Sequence, residues 1–181
     1  TDGVLYKVDT MNSRVEWKGY KVLKSDQTTH FGNIRFESGD ITVKEGKLQS
    51  GKFVADINTL ENIDLKDNQE MKSKLEGHLK SADFFEVEKF PTASYEITKV
   101  TEAKSGDYNT ILDGNLTIKG ITKPVQFKAN VTVQNENVSI ATEPTDINRE
   151  DYGLNFEIPF ENGLLNKSIN LQVLIKAMES K

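Results

Sequence analysis

The chain has 181 residues and a mass of 20.4 kDa, with 36% apolar and 28% charged residues and a mean hydropathy of -0.54. That size fits one domain over residues 1–181, and no apolar run approaches the roughly 18–20 residues of a membrane-crossing helix. The net charge of -5 argues against nucleic acid as a partner, and the absence of cysteine removes disulfides, thiolate zinc sites and thiol nucleophiles.

The chain opens Thr1-Asp2-Gly3-Val4, with neither the basic nor the apolar stretch of a signal peptide, as expected of a mature or trimmed form. Apolar residues then recur with period two. Val15, Trp17 and Gly19 oppose Glu16 and Lys18, and His30, Gly32, Ile34 and Phe36 share one parity. Lys44-Glu45-Gly46-Lys47 reads as a hairpin turn, after which Phe53, Ala55 and Ile57 face one way. The period then changes. Met71, Leu75 and Leu79 fall at helical spacing behind the acidic start Asp67-Asn68-Gln69-Glu70, which predicts one main helix over about 68–80. Phe84, Phe85 and Phe90-Pro91 lead out of it, and three close phenylalanines are expected to cover part of the molecule rather than face water.

Alternation resumes with Ala93, Tyr95 and Ile97. A turn at Lys104-Ser105-Gly106-Asp107 precedes Leu112, Gly114, Leu116 and Ile118. Val125, Phe127, Ala129, Val131 and Val133 come next, then a turn over Gln134 to Asn137. The last run is Ile169, Leu171, Val173, Ile175 and Ala177. Half-buried strands recurring roughly every 8–15 residues are the pattern of an all-β, antiparallel sandwich or up-and-down barrel.

An eight-stranded barrel has an interior that side chains just fill, or that holds one small ligand. Gly19, Gly32 and Gly114 share faces with large apolar residues. They read either as bends and close approaches in a coiled barrel or as room left inside. His30 points inward by the same parity, as a satisfied structural residue or as a polar anchor in an apolar pocket. Arg149 is suited to forking onto a phosphate or carboxylate, or to pairing structurally with Asp151. Catalytic patterns are poor. Two histidines and no nucleophile elbow leave little basis for a hydrolase, and Asp64, Asp67, Asn68 and Glu70 lack the spacing of a calcium loop.

Several ordered blocks resemble the YceI-like family. Gly114-Asn115-Leu116-Thr117-Ile118-Lys119-Gly120-Ile121-Thr122-Lys123-Pro124-Val125 is similar to its signature. His78 to Phe85 and Phe90 to Tyr95 resemble a second block, and Ile147 to Gly153 a third. Tyr6-Lys7-Val8-Asp9, Ser13 to Trp17, and His30-Phe31-Gly32 also fit. The resemblance implies an extended eight-stranded, lipocalin-like antiparallel barrel with a long apolar channel. It implies non-catalytic binding, transport or storage of a long-chain lipid such as a polyisoprenoid, a quinone or a fatty-acid-like chain, with no other cofactor and no metal. It also implies a periplasmic or secreted location, with an anchor of the lipoprotein type upstream of Thr1 in some members, and allows a homodimer.

The residues expected to touch the lipid are Trp17, Gly19, His30, Gly32, Ile34, Phe36, Phe53, Phe84, Phe85, Tyr95, Gly114, Leu116, Phe127, Arg149, Leu171 and Val173. The competing expectation is a binding or adhesion module whose barrel is filled by its own side chains and whose surface does the work.

Overall fold

The computed structural model describes residues 3–23, 26–81, 85–104, 106–154 and 164–180. Among these described residues are ten strands and one α-helix: β1 (Val4–Val8), β2 (Arg14–Leu23), β3 (Asp26–Lys44), β4 (Lys47–Asn62), α1 (Gln69–Lys80), β5 (Thr92–Glu102), β6 (Thr110–Ile118), β7 (Ile121–Gln134), β8 (Asn137–Thr142), β9 (Thr145–Asn148) and β10 (Leu164–Glu179). All pairings are antiparallel. β10 pairs with β2, sequential neighbours pair from β2 to β8, and β8 returns to β10.

The ring has eight strand positions because two are shared. β1 lies beside the lower halves of β10 and β3, where β2 has not yet begun. β9 continues the line of β8 along β10. A closed ring leaves few backbone groups unpaired at an edge. The expected all-β architecture with one main helix is therefore the observed one.

Turn chemistry fixes the hairpins. Glu45 and Gly46 both have positive φ, 54° and 77°, as do Lys119 and Gly120, 53° and 77°. Two such residues in a row give the right-handed strand twist that a two-residue hairpin needs. The helix begins one residue later than its acidic start indicates. Asn68 is its cap, and its side-chain oxygen accepts from the Met71 amide at 3.2 Å. Leu75 and Leu79 are the helix residues that become buried.

Bulges interrupt the long β3–β4 hairpin between Asn33 and Arg35, between Phe36 and Ser38, and between Thr42 and Val43. The middle one reverses parity, so the inward set changes from His30, Gly32, Ile34 and Phe36 to Gly39, Ile41 and Val43. Thr59 closes part of the first irregularity, accepting from the Arg35 amide at 2.7 Å and donating to the Asp56 carbonyl at 2.6 Å. Among the described residues no helix is long and apolar enough to cross a membrane.

Candidate functional site: an apolar interior in two lobes

The inward faces do not fill the barrel evenly. A larger lobe of about 90 Å³ lies at mid-height, bounded by Phe36, Phe53, Tyr95, Leu116, Phe127 and Val173 among others. A smaller lobe of about 50 Å³ lies towards the helix, bounded by Trp17, Gly19, His30, Leu75, Leu79 and Ile169 among others. Ile34, Phe85, Ile118 and Leu171 border both. The two spaces are thus neighbours along one interior, with Phe85 entering from the segment between α1 and β5.

Both linings are almost wholly carbon. In the larger lobe the room sits over small residues of β4 and β5. Ala55 and Ala93 are register partners there, and both line the space. Sequence reasoning missed the alanine pair. Its signal, two alanines on inward parity in strands facing each other, becomes visible only once the β4–β5 register is known.

The glycines tell a different story from the hollow-barrel expectation. A Cβ on Gly32 would lie 1.8 Å from the Glu61 carbonyl oxygen and 2.8 Å from Trp17 Cζ2. A Cβ on Gly114 would lie 2.4 Å from the Glu96 carbonyl oxygen and 2.6 Å from Tyr95 Cζ. Neither glycine lines a lobe. They permit close approach of a backbone and of an aromatic ring, and the expectation that they hold a channel open is corrected. Gly19 does line the smaller lobe.

Tyr95 occupies the space over Gly114. Its hydroxyl donates to the Val125 carbonyl at 2.7 Å, and its ring meets Phe127 edge-on with centroids 5.1 Å apart. Burial raises the phenol's pKa above its ordinary value, and Asp113 adds to the shift.

The helix end carries the polar groups. His30 Nδ1 lies 2.7 Å from Asp64 Oδ2. Asp64 Oδ1 accepts from the Phe31 amide at 2.8 Å and from Asn62 Nδ2 at 2.6 Å. Asn62 is fully buried, and its amide donates to Glu76 of α1 at 2.7 Å. Lys72 pairs with the same Glu76 oxygen at 2.8 Å. This chain of bonds ties the helix to the end of β4. Among the described residues no group of three or more acids or histidines is arranged to hold a metal.

Arg149, expected either to fork onto a phosphate or carboxylate or to pair with Asp151 or another acid, is bonded within its own turn. It sits in a 3-10 turn, Arg149–Tyr152, capped by Asn148, and its Nη1 donates to the Leu154 carbonyl at 2.6 Å. It lines neither lobe. Burial pushes its pKa down, with Glu150 opposing. Phe84 lies outside the described residues. The other expected contacts, Trp17, His30, Ile34, Phe36, Phe53, Phe85, Tyr95, Leu116, Phe127, Leu171 and Val173, all border one lobe or both.

This ring of strands, with a helix over one end, can be set beside known proteins. The sequence pattern of the YceI-like domain matches residues 6–177. The chain belongs to the YceI-like family. A UPF0312 protein of Pseudomonas putida is 26% identical over 97% of this chain and 87% of its own length. Protein YceI of Salmonella arizonae is 34% identical over 72% of this chain and 63% of its own length. Among solved structures, Burkholderia cenocepacia BcnA superposes with a TM-score of 0.70 at 17% identity, covering 94% of this chain and 99% of that one. The YceI protein of Campylobacter jejuni gives a TM-score of 0.58 at 17% identity, covering 81% and 84%. At such identities the structural likeness speaks for the fold, and the names of these relatives assign no reaction.

Proposed function

We propose that this YceI-like protein is a non-catalytic carrier that takes the hydrocarbon chain of a lipid into its barrel. The observation that carries the reading is the pair of adjoining, carbon-lined lobes on one line through the interior. Burial of chain surface there is worth about 25 cal/mol per Å². A polyisoprenoid, a quinone tail or a fatty-acid-like chain has the right chemistry, and a lining of aliphatic and aromatic groups discriminates little between them. A periplasmic or secreted location goes with this role.

The lobes are small. Together they are on the scale of an engineered cavity that admits benzene, about 150 Å³. A long chain therefore requires the lobes to merge. Phe85 is the side chain suited to yield, because it borders both lobes, is only half-buried and belongs to no strand. In the loaded state the chain runs past the position that Phe85 occupies here.

Ala55→Leu tests the reading. A leucine there projects into the larger lobe, where the protein has room for it, so the fold is expected to keep its stability to within about 1 kcal/mol. Retention of a fluorescent long-chain lipid should fall at least tenfold. Full retention by the variant, or no uptake by the parent protein, would move the weight to a surface-acting module with a self-filled barrel.

A further inference from the structure

We infer that the lipid enters and leaves the smaller lobe sideways, through a seam in the barrel wall between β7 and β9. This rests on the carrier reading above and deepens it by giving the chain a route. β7 and β8 form a ladder from Gln134 to Ala129, and the Glu143 amide adds one more rung by donating to the Lys128 carbonyl at 2.7 Å. Pro144 follows, and β9 then pairs with β10. Among the described residues no backbone hydrogen bond joins β9 to the stretch of β7 from Ile121 to Phe127. The cause lies in the sequence of β7. Lys128 turns its backbone groups to this side, so by alternation Gln126, Pro124 and Thr122 do as well. Pro124 has no N–H to offer, and a regular ladder is broken there.

A groove of about 290 Å³ follows the seam, with Lys123, Pro124 and Gln126 on one wall and Thr145, Asp146 and Asn148 on the other. Ile147 borders both this groove and the smaller lobe, so a single side chain separates the two spaces there. Tyr152, buried at 2% exposure, reaches the groove from the 3-10 turn. The other break in the wall, where β4 runs on past the start of β5 towards α1, is crossed by hydrogen bonds. The Ile57 amide donates to the Pro91 carbonyl at 2.9 Å, and the Asn62 amide to Glu76 at 2.7 Å. Parting paired strands strips backbone donors and acceptors of their partners beside hydrocarbon, which is costly. Parting β7 from β9 breaks no backbone bond and displaces side chains such as Ile147 and Tyr152. The seam is therefore the stretch of wall beside the smaller lobe that yields most readily to a sliding chain.

The chain has no cysteine, so an introduced pair can be linked selectively. Gln126→Cys and Asp146→Cys place exposed thiols on opposite walls of the groove, where a bis-maleimide joins them across the seam. Lys18→Cys and Phe31→Cys, at register partners on β2 and β3, give the control link across an intact ladder. Each protein is loaded with pyrene-labelled hexadecanol before linking, and release into phosphatidylcholine vesicles is followed. The seam link should slow release about tenfold or more, and the control link should leave it within about twofold of the parent rate. Ile147→Ala should act the other way and speed release about 3- to 10-fold. Ile41→Ala, an equal truncation at a buried site that borders neither lobe, should leave the rate unchanged. Release from the seam-linked protein at the parent rate, equal slowing by the control link, or equal rates for Ile147→Ala and Ile41→Ala would each overturn the side entrance while leaving the carrier intact. Failure of the unlinked parent to load would overturn the carrier reading itself.

Discussion

The two ends of the barrel are built from the same kind of strand yet differ in what fills them. At the end formed by β1 and the β3–β4 and β7–β8 turns, Tyr6, Val8, Ile41, Val43, Leu48, Ile97, Val138 and Ala177 are all buried, and none borders a lobe. A Cβ on Gly39 would fall 2.5 Å from Val8 Cγ2, and one on Gly51 3.0 Å from Phe53 Cζ, so even the glycines there are packed over. From Phe36 and Phe53 towards α1, the interior opens into the two lobes. Alternation of apolar residues is equally clear at both ends. Hollowness thus depends on which side chains meet across the barrel, and the period alone does not reveal it.

The sharpest way to break this comparison is to excavate the filled end. Ile41 is wholly buried. Ile41→Ala should cost about 2–5 kcal/mol, since a tightly packed site relaxes little around the missing atoms. Chemical denaturation should show the loss, with lipid retention per folded molecule unchanged. A comparable loss of retention would mean that the filled end also takes part in binding.

A smaller effect separates close packing from vacancy within the hollow half. Gly114→Ala places a methyl group against the Glu96 carbonyl and the Tyr95 ring. The ring can move, but the backbone oxygen of the paired strand cannot do so without disturbing the sheet. The expected cost is about 1–3 kcal/mol in the same denaturation assay. A neutral or stabilising result would restore the idea that this glycine leaves free space.

Much of the fold is legible in the sequence, and the reasons are physical. Side-chain parity is a local property, so Val15 and Trp17, Leu112 to Ile118, and Ile169 to Ala177 all lie on the strands that their alternation announces. The helix is equally plain, since Asn68 is a good cap and Leu75 and Leu79 fall on one stripe. The bulge after Phe36 is not legible, because an extra residue leaves no compositional mark and only reverses the phase of the residues beyond it. For the site, parity finds most of the lobe-lining residues but misjudges the glycines. Whether a missing side chain leaves a void depends on what the neighbouring strand places there. Tyr95 covers Gly114, whereas the Ala55–Ala93 pair borders open space. Arg149 is ambiguous for a similar reason, because one group it bonds, the Leu154 carbonyl, is a backbone atom that no residue type advertises.

The smallest predicted effect concerns pH and the boundary of the hollow half. Tyr95 holds its proton more tightly in the folded protein than an ordinary phenol does, chiefly through burial, with Asp113 adding to the shift. In the unfolded chain it should titrate near 10. The contribution of the neutral phenol to stability is therefore complete below about pH 10. As pH rises further, the unfolded chain releases the proton while the folded protein keeps it, and stability falls. Tyr152, pushed up to about 12 by burial with help from Asp151, acts in the same direction. Tyr95→Phe removes one of these two groups and also the hydroxyl's bond to Val125. At neutral pH the variant should be about 0.5–1.5 kcal/mol less stable. That gap should narrow steadily from pH 10 upwards, because only the parent carries the Tyr95 alkaline penalty. Parallel stability curves for the two proteins between pH 9 and 11 would show that the phenol is hydrated in the folded state. The larger lobe would then be open to water beside Tyr95 rather than sealed by it.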